Sequence, residues 1–511
     1  YSDRAIKGLL AAAAFPSWQW PVAQALEHSM LTWGSAIGVD WLYDTMTTDQ
    51  RETVVNATMV LGLETHLHSQ HEQLWWTRDV YNWVLVSNAG PIAAALALST
   101  ESSDANALAS NVLTGCLKSM DKAMKSWGPS GVWPEGPSYW SFAISHVFKA
   151  ASALESALGD DQGLMGFPGL RTAGYYAVTM NGPVGESFSW GDSEPGSPAP
   201  SELIFLASHF QEKPLAAWVR RFMSEHGAPG DVLALAYYAK MPTSTVSDIG
   251  DIPLNKVYAD PNPSRTYGRK THLGFFRSSW FSDPKSTSWA GFKGGQNLFD
   301  DGGSSSHNNH GHQDVSNFVL EMYGVRWAID MGGGEYDFPL ISYFGRFRFS
   351  YYRTSSHGHN VLSFDGESQS RLGSGAIIDA TLSSGAPSAV VNATAAYATS
   401  PGDFVNRTLS FSEDFKVFTV ADRWRRVDAK TVTWKMHTLA NVTVAPTGAT
   451  LTHRDATRAL RMDVSSPGAT LVTASLLKLP FPEDGTVDGA PVTVVTVTVP
   501  AASEAVTVTF Y

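Results

Sequence analysis

The first half of the chain carries apolar residues at helical spacing. Leu26, Met30 and Trp33, for example, recur every three or four residues, like the buried face of an amphipathic helix. Thr47 with Gln50 three residues later is a capping-box pattern, which satisfies free backbone amides at a helix start. We therefore predict an all-α region. Its further helices are predicted at about 91–99, 104–127, 138–158, 201–211, 214–224 and 231–240.

The second half of the chain alternates apolar and polar residues. In the middle of the chain the helical spacing fades into Pro, Asp, Ser and Thr, and later Val432, Trp434 and Met436 show a period of two. Half-buried strands of this kind, with turn residues between them, are typical of a large antiparallel β-sandwich. The predicted fold class is α+β and multidomain, with the helices in residues 1–245 and the β-sandwich in residues 246–511.

Composition and charge narrow the classes of function. The chain has 511 residues, 36 Lys and Arg against 48 Asp and Glu, and a formal net charge of −12. A polyanion would therefore have to bind at a local basic site, and broad nucleic-acid binding is disfavoured. The longest apolar runs, residues 9–15 and 91–98, are far shorter than the roughly 20 residues that span a bilayer. We expect no nucleic-acid partner and no membrane partner, and either a monomer or a homodimer.

Cysteine usage and glycosylation motifs bear on the cellular location. A single cysteine, Cys116, excludes an intramolecular disulfide. No charged segment followed by an apolar one opens the chain, so a signal peptide is either absent or already removed. We expect a secreted, extracellular glycoprotein. The motifs that would accept a glycan in a eukaryotic secretory route are at Asn56, Asn392, Asn406 and Asn441.

The densest chemical feature is a histidine-rich segment at residues 307–314. If this segment enters a strand, His310 and His312 point to the same face, so that two imidazoles could project into one site. One would serve the chemistry and the other a metal. The alternative interpretation is a solvated histidine-rich loop.

Two further segments carry side chains suited to a metal. Asp330 ends an apolar run, and His359 enters another strand-like run. Together with His312 they form a set of two nitrogen ligands and one carboxylate, which suits zinc. The functional interpretation is a structural metal beside the active site. The alternative is three unrelated surface residues, because the spacing is unlike that of short-spaced metal motifs.

Aromatic and amide side chains cluster twice in the helical half. The segment 133–140 follows a Gly/Pro loop and could present Tyr139 to a cleft, with aromatic packing in a helical core as the alternative. The segment 75–83 contains Asn82 among aromatic residues. The Asn82 amide could hydrogen-bond a carboxylate, or it could cap a helix.

Five sequence blocks match a known family in their order and rough spacing. They are residues 82–90, 135–140, 310–314, 329–332 and 359–361. With these blocks the chain resembles the heparinase II/III-like polysaccharide lyase superfamily, which includes oligoalginate lyases. The resemblance covers nearly the whole chain. It implies an incomplete (α/α) toroid as the catalytic domain, followed by an antiparallel β-sandwich that carries the histidine cluster and the metal site.

The activity implied by the resemblance is β-elimination from a uronic acid. Such an enzyme must neutralise the uronate carboxylate, remove the C5 proton and protonate the leaving O4. By resemblance Asn82 neutralises the carboxylate with His310 as a helper, and Tyr139 and His310 share the roles of base and acid. In a syn elimination Tyr139 serves as both; in an anti elimination His310 takes the proton. The candidate substrate-binding residues are Arg78, Trp83, Asn88, Glu135, Trp140, Arg348, Tyr352 and Arg353, with Arg346 in the same basic segment, whereas His307 and His357 are assigned to loops.

The resemblance also bears on the metal and the substrate. Matched positions in zinc-binding members supply His, Asp and His, so His312, Asp330 and His359 are expected to hold a structural divalent metal, zinc by this resemblance. The acidic chain favours an unsulfated or lightly sulfated uronan such as alginate or glucuronan, with a heparan sulfate or heparin type of glycosaminoglycan as the alternative. An inactive carbohydrate-binding relative and a metal-dependent hydrolase are the other two alternatives.

Overall fold

The computed structural model of the protein describes most of the chain. The residues that it describes are 1–19, 25–196, 200–259, 271–297, 310–334, 336, 347–383, 385–397, 400–479 and 485–511. They form two compact units, each built from several stretches of chain. Unit 1 comprises Tyr1–Gly131, Tyr139–Thr172 and Asp231–Leu235, and unit 2 comprises Val132–Ser138, Ala173–Gly230 and Ala236–Tyr511.

Helices occupy the first half of the chain, as the apolar spacing predicts. The capping box at Thr47 is confirmed, since its side chain accepts from the amide of Gln50 and the Gln50 side chain accepts from the amide of Thr47. Within the described ranges, no helix combines the length and the apolar character needed to cross a bilayer. The α-helices are α1 Ser2–Ala13, α2 Leu26–Leu42, α3 Thr48–Ala57, α4 Thr65–His71, α5 Trp75–Arg78, α6 Asn82–Leu98, α7 Ser103–Met124, α8 Pro137–Leu158, α9 Leu170–Met180, α10 Pro200–Phe210, α11 Lys213–His226 and α12 Val232–Tyr238, with a π-helical turn Thr58–Glu64 between α3 and α4.

Helix α6 begins nine residues before the predicted start and continues through Pro91. A proline inside a helix removes one hydrogen bond and distorts the preceding turn. The Ser29 hydroxyl repairs this turn, because it donates to the carbonyl of Val86 (2.5 Å) and accepts from the amide of Gly90 (3.1 Å). The predicted start at residue 91 is therefore wrong, and a side chain from α2 explains why the helix can extend across the proline.

Helix α6 is buried on all sides at the core of unit 1. Every residue from Val84 to Ala95 is buried, so the helix has no solvent-exposed polar face along this stretch. Its neighbours α2 and α7 cover it. A Cβ at Gly90 would lie 2.1 Å from the carbonyl oxygen of Ser29, so only glycine allows α2 to approach this closely.

The strands of unit 2 form antiparallel sheets. Their order is β1-β2-β3-β5-β6 in one sheet, β13-β14-β15-β20-β11-β10-β9-β8-β4 in a second and β16-β19-β12-β7 in a third, with β17-β18 as a small ribbon. The strands are β1 Lys256–Ala259, β2 His272–Arg277, β3 Trp289–Lys293, β4 Gly295–Gln296, β5 Phe318–Met322, β6 Val325–Ala328, β7 Leu362–Phe364, β8 Ser374–Thr381, β9 Ser388–Asn392, β10 Phe404–Phe411, β11 Phe418–Arg425, β12 Thr431–Thr438, β13 Asn441–Ala445, β14 Gly448–Thr452, β15 Leu460–Ser465, β16 Leu471–Leu476, β17 Thr486–Val487, β18 Ala490–Pro491, β19 Thr493–Pro500 and β20 Ala505–Phe510.

The period of two predicted for the second half is confirmed in β12. Val432, Trp434 and Met436 are buried, and Trp434 lies opposite Val497 of the neighbouring strand β19. The intervening positions 433 and 435 are half-buried. Alternation therefore places one face of each strand in the apolar core that the three larger sheets share.

One ion pair is buried within this β core. Arg407 on β10 donates from Nε and Nη2 to the two carboxylate oxygens of Asp422 on β11, each at 2.8 Å. Its Nη1 donates to the backbone carbonyls of Ser316 and Asn360. The pair is therefore satisfied at both ends, as a buried ion pair requires, and it fixes two loops to the sheet.

The predicted division at residues 245 and 246 marks the change of secondary structure. The last α-helix ends at Tyr238 and the first strand begins at Lys256. The compact units, however, are not divided there, because the segments 132–138 and 173–230 belong to the same unit as the strands. Residues that the sequence assigns to a purely helical domain thus contribute to unit 2.

Candidate active site

Asp192 lies against the histidine-rich segment in unit 2. The Asp192 amide donates to the carbonyl of His310 at 2.8 Å. The preceding Gly191 has φ +67°, and a Cβ there would lie 2.5 Å from the same carbonyl oxygen. Gly191 therefore permits the close approach that places the Asp192 carboxylate beside the imidazoles of residues 310 and 312.

The Asp192 carboxylate is hydrogen-bonded to two imidazoles and one guanidinium. It lies 2.9 Å from Nδ1 of His310 through Oδ2, and through Oδ1 it lies 2.8 Å from Nε2 of His312 and 2.7 Å from Nη2 of Arg348. Burial by itself raises the pKa of Asp192, but the Arg348 guanidinium and the two histidine hydrogen bonds hold this pKa well below its usual range. Asp192 is therefore ionised at neutral pH.

An ionised Asp192 fixes the protonation pattern of His310. Because a carboxylate without a proton can only accept, Nδ1 of His310 donates in this hydrogen bond. When the ring is neutral, Nε2 then holds the lone pair. Nε2 lies 3.9 Å from Oε1 of Glu135, whose other oxygen accepts from Nε1 of Trp133 at 2.9 Å. The ring can thus accept a proton at Nε2 or, once protonated, donate one there.

The two imidazoles do meet at one site, but the segment that carries them is not a strand. Residues 310–317 are irregular, and the strand that follows them begins only at Phe318. His310 and His312 converge because both bond to Asp192, which is 118 and 120 residues away in sequence. The strand alternation assumed from the sequence is therefore not the reason for their common direction.

A second cluster brings together candidate metal ligands. Asp314, Asp330 and His359 are buried, and one ligand atom from each lies within 4.8 Å of the others. Nδ1 of His359 faces Oδ2 of Asp330 at 3.3 Å. His312 instead faces the other ring nitrogen of His359, with 3.1 Å between its Nδ1 and the Nε2. The structure thus joins two of the three predicted ligands with Asp314, and it places His312 on the opposite edge of the His359 ring.

The residues of this cluster fit a divalent cation. Nδ1 of His359 and Oδ2 of Asp314 are both buried. Nδ1 approaches Asp330 at 3.3 Å without the geometry of a hydrogen bond, and Oδ2 of Asp314 has no hydrogen-bond partner among the described residues, so a metal cation that accepts their lone pairs would satisfy both atoms. The other Asp314 oxygen accepts from Nζ of Lys293, and Asp330 accepts from Nδ2 of Asn317. These second contacts orient the two carboxylates, as outer-sphere partners of metal ligands do.

In unit 1, the predicted catalytic residues Asn82 and Tyr139 each lie at a helix start. Asn82 is the first residue of α6 and is buried. Tyr139 is in the first turn of α8 and is half-buried. Arg78, at the end of α5, is exposed, and the ring of Trp83 lies 5.0 Å from that of Trp75.

The predicted substrate contact Asn88 belongs to a buried polar network of unit 1. Its Nδ2 donates to the carbonyl of Val84 and to the hydroxyl of Ser119, and its Oδ1 lies 3.2 Å from Nε2 of His66. No part of the side chain reaches the surface. Trp140 is likewise buried, with its ring at 6.4 Å from that of Trp127. Both side chains are accounted for by packing, and their substrate contact stays a prediction.

The predicted basic residues of unit 2 differ in role. Arg348 pairs with Asp192, as described above. Arg353 donates to the carbonyls of Met331 and Gly333, and the Tyr352 hydroxyl lies 2.9 Å from Nε2 of His437. Arg353 thus connects backbone segments that follow Asp330, whereas Tyr352 contacts a histidine side chain of β12. Arg346 and His307 lie outside the described residues.

The predicted glycosylation positions differ in exposure. Asn56 and Asn441 are exposed, whereas Asn392 and Asn406 are half-buried and lie opposite each other on β9 and β10. The exposed pair offers the more accessible acceptors.

Sequence reasoning did not find Asp192, Asp314 as a ligand, or Tyr336. The Tyr336 ring lies 6.4 Å from that of His310. Asp192 follows a segment in which the buried Phe188 and Trp190 alternate with serines, which is a local sign that this stretch is not an exposed linker.

Comparisons with known proteins agree with this fold. Residues 297–488 match the family described as "Heparinase II/III-like, C-terminal". No curated protein sequence matches the chain. Among solved structures, heparinase III superposes with a TM-score of 0.70 and 12% identity over 99% of this chain and 72% of the other. The "Heparinase III-BT4657 gene product" gives 0.66 and 13% over 96% and 67%, and its form with methylated lysines gives 0.66 and 13% over 99% and 68%. The likeness confirms the predicted fold, an incomplete (α/α) toroid followed by an antiparallel β-sandwich.

Proposed function

We propose that this protein, whose residues 297–488 are a heparinase II/III-like C-terminal domain, is a polysaccharide lyase that cleaves uronic-acid-containing polysaccharides by β-elimination. The observation that carries the proposal is the orientation of His310 by the ionised Asp192. It leaves Nε2 of a histidine in that domain able to exchange a proton with a substrate.

The reaction converts one uronate unit into a 4,5-unsaturated uronate. The C5–H bond breaks and its electron pair forms the C4=C5 double bond. The C4–O4 bond breaks at the same carbon pair, and O4 leaves with a proton supplied by the enzyme. The C5 proton is only weakly acidic while the neighbouring carboxylate is negative, so neutralisation of that carboxylate is the main electrostatic task.

The roles follow the residues that can donate and accept. Asn82 is assigned to neutralise the carboxylate through its amide, with a protonated His310 as helper. Tyr139 is assigned to protonate O4. In an anti elimination His310 takes the C5 proton at Nε2, and in a syn elimination Tyr139 takes it. Substrates that are epimeric at C5 distinguish the two, because the proton then lies on the opposite face of the ring.

We also propose a structural divalent metal in the cluster of unit 2. Asp330 and His359 would hold it, with Asp314 and His312 as the further candidates. The support is the pair of unsatisfied buried atoms described above. The ion would neutralise the acidic side chains and fix the segments that carry them, without contact with the substrate.

The preferred substrate in this proposal is an unsulfated uronan such as alginate or glucuronan. A densely sulfated chain calls for a strongly basic cleft, and this chain has a net charge of −12. A glycosaminoglycan of the heparan sulfate type is the second candidate, because the similar solved structures are heparinase III proteins.

One assay tests the proposed function and the substrate together. The protein is incubated with alginate, glucuronan, hyaluronan, chondroitin and heparan sulfate, and the ultraviolet absorbance of the unsaturated product is followed. His310→Ala and Tyr139→Phe are each expected to abolish the signal. His357→Ala is the matched control, since His357 lies near the site in sequence but contacts Lys435. Substrate cleavage without the chromophore would indicate a hydrolase, and full activity in either variant would overturn the assignment.

Elemental analysis tests the metal. Protein purified without added metal is expected to hold about one equivalent of divalent ion. Asp314→Ala and His312→Ala then show which residue completes the set, because loss of a ligand should lower the metal content more than loss of a side chain that only orients one. Less than about a tenth of an equivalent in a fully active enzyme would contradict the proposal.

We further propose that the protein is secreted and glycosylated. The exposed acceptors Asn56 and Asn441 support this. Glycosidase treatment of protein from its native source should lower its apparent mass, and Asn56→Gln should remove part of that change. An unchanged mass would refute glycosylation.

A further inference from the structure

A small pocket in unit 2 lies apart from the clusters described above. Its walls come from the turn after α9, the end of α11 and the connection between β2 and β3. The cavity volume is about 60 Å³, several times what one water molecule occupies. Its lining includes the exposed residues Glu225 and Ser282. A ligand of the size of a small organic acid can therefore enter it.

Two buried side chains that line this pocket, Arg277 and Asn181, each have one polar atom without a hydrogen-bond partner. Arg277 is 6% exposed, and its Nη2 donates to the backbone carbonyl of Asn181. Its Nε is buried and has no hydrogen-bond partner among the described residues, and the same is true of the side-chain oxygen Oδ1 of Asn181. An unsatisfied buried donor or acceptor costs about 1–3 kcal/mol of folding free energy. A ligand that hydrogen-bonds to both of these atoms would remove that cost.

The charge of Arg277 is also poorly compensated. None of the described carboxylates lies within ion-pair distance of it, because the one buried carboxylate that acts on it, Glu321, pairs with Arg326. The nearby Arg221 pairs with Glu225, which is 45% exposed. Burial lowers the pKa of Arg277 to about 9, so the side chain stays protonated at neutral pH. The pocket therefore contains a buried cation that an anion would stabilise.

Rigid packing holds the pocket in this form. The guanidinium of Arg277 lies 4.2 Å from the ring centroid of Trp280, and Arg221 donates to the Trp280 carbonyl. On the opposite wall Trp218 stacks on Phe222 with 4.9 Å between ring centroids. The donor and the acceptor are thus positioned before any ligand arrives, which reduces the entropy cost of binding.

We propose that this pocket binds a small hydroxycarboxylate. The carboxylate would accept from Nε of Arg277, and the hydroxyl of the ligand would donate to Oδ1 of Asn181. Sulfate can satisfy the first contact only, since at neutral pH it carries no hydroxyl donor. The site is independent of the proposed lyase reaction, because none of its residues belongs to the clusters around Asp192 or His359.

Calorimetric titration with sodium glycolate, sodium acetate and sodium sulfate at constant ionic strength tests the proposal. Glycolate and acetate differ only by the hydroxyl, so glycolate is expected to bind about 2–10-fold more tightly. Arg277→Gln should weaken glycolate binding by at least about tenfold, and Asn181→Ala should make glycolate and acetate equal. Arg220→Gln is the control, since Arg220 is the neighbour of Arg221 on the same helix but bonds to the carbonyl of Pro242.

Each of these measurements has a result that would overturn the proposal. If Arg277→Gln does not fold, Ser282→Trp narrows the entrance from an exposed position and should abolish binding with Arg277 intact. Absence of glycolate binding, or equal binding by the wild type and Arg277→Gln, overturns the proposal. Equal binding of sulfate and glycolate overturns the role of Asn181 and leaves a general anion site. Elimination activity should be unchanged in all these variants.

Discussion

Replacement of Asp192 by asparagine separates the orientation of His310 from the mere presence of the ring. Oδ1 of Asp192 faces Arg348 and His312, whereas Oδ2 faces His310. Arginine has only donors, so the single oxygen of an asparagine must stay on the Arg348 side. The NH2 group then faces His310 and donates to it. Nδ1 becomes the acceptor, and the proton of the neutral ring moves to Nε2.

The expected losses of kcat and of stability follow from the two functions of the Asp192 carboxylate. A histidine with its proton on Nε2 cannot act as a base at that atom, and loss of a general base costs about 10²–10⁴-fold in kcat. Arg348 also loses its buried counter-charge, and removing one partner of a buried ion pair costs about 3–5 kcal/mol of stability. The variant should therefore unfold at a lower temperature, and it must be assayed well below that temperature.

Arg348→Gln is the matched control for the loss of stability. It breaks the same ion pair but leaves the carboxylate free to orient His310. Both variants should lose similar free energy of unfolding in thermal melts, while only Asp192→Asn should show the large decrease in kcat for the unsaturated product. The reasoning fails if folded Asp192→Asn keeps kcat within about threefold of the wild type, or if both variants lower kcat equally.

Three further predictions concern stability. Burial lowers the pKa of His28 to about 4 and that of His66 to about 3, so both contribute stability above their unfolded pKa of 6.5 and lose it as the pH falls toward 4 and 3. Together His28 and His66 should account for about 4 kcal/mol of the stability lost between pH 7 and 5, so His66→Gln should reduce the loss seen in urea titrations by about 2 kcal/mol; a variant whose loss equals that of the wild type would contradict it. Ser29→Ala removes the bridge across the proline turn of α6 and should cost about 1–3 kcal/mol, whereas a neutral effect would show that the turn needs no bridge. Asp422→Asn leaves Arg407 unpaired in the β core and should cost about 3–5 kcal/mol of unfolding free energy. The double variant Arg407→Met with Asp422→Leu should cost less, because it leaves no unpaired charge, and equal costs would refute the pairing argument.

Local patterns predicted most of the secondary structure. The period of two in β12 and the capping box at Thr47 depend on neighbours within a few residues, so the sequence suffices to find them. The start of α6 could not be found this way, because the Ser29 hydroxyl that repairs the Pro91 turn comes from another helix. Where a distant side chain satisfies the backbone, propensity alone misplaces the element.

The same distinction between local and distant residues applies to the candidate active site. The residue types around His310 and His312 were visible as a dense motif, but Asp192, which fixes their tautomers, comes from a distant loop with no chemical motif of its own. Likewise His312, Asp330 and His359 were grouped by residue type. The rotamer of His359 decides which ring nitrogen faces which partner, and the sequence does not reveal it. In the observed rotamer Nε2 faces His312, and the cluster on the other side includes Asp314.

The discontinuity of unit 2 has a consequence for synthesis of the chain. Glu135 and His310 are neighbours in the folded unit, yet about 175 residues separate them, which takes about 9–35 s to translate. The segment 132–138, with its buried tryptophan, therefore cannot reach its final packing until the β-strands of unit 2 have been synthesised. A fragment that begins at residue 246 would carry the histidines without Asp192 or Glu135. Expression of the sandwich alone should thus give a domain that lacks the packing of the segment 173–230 and the contacts that Asp192 and Glu135 make with His310.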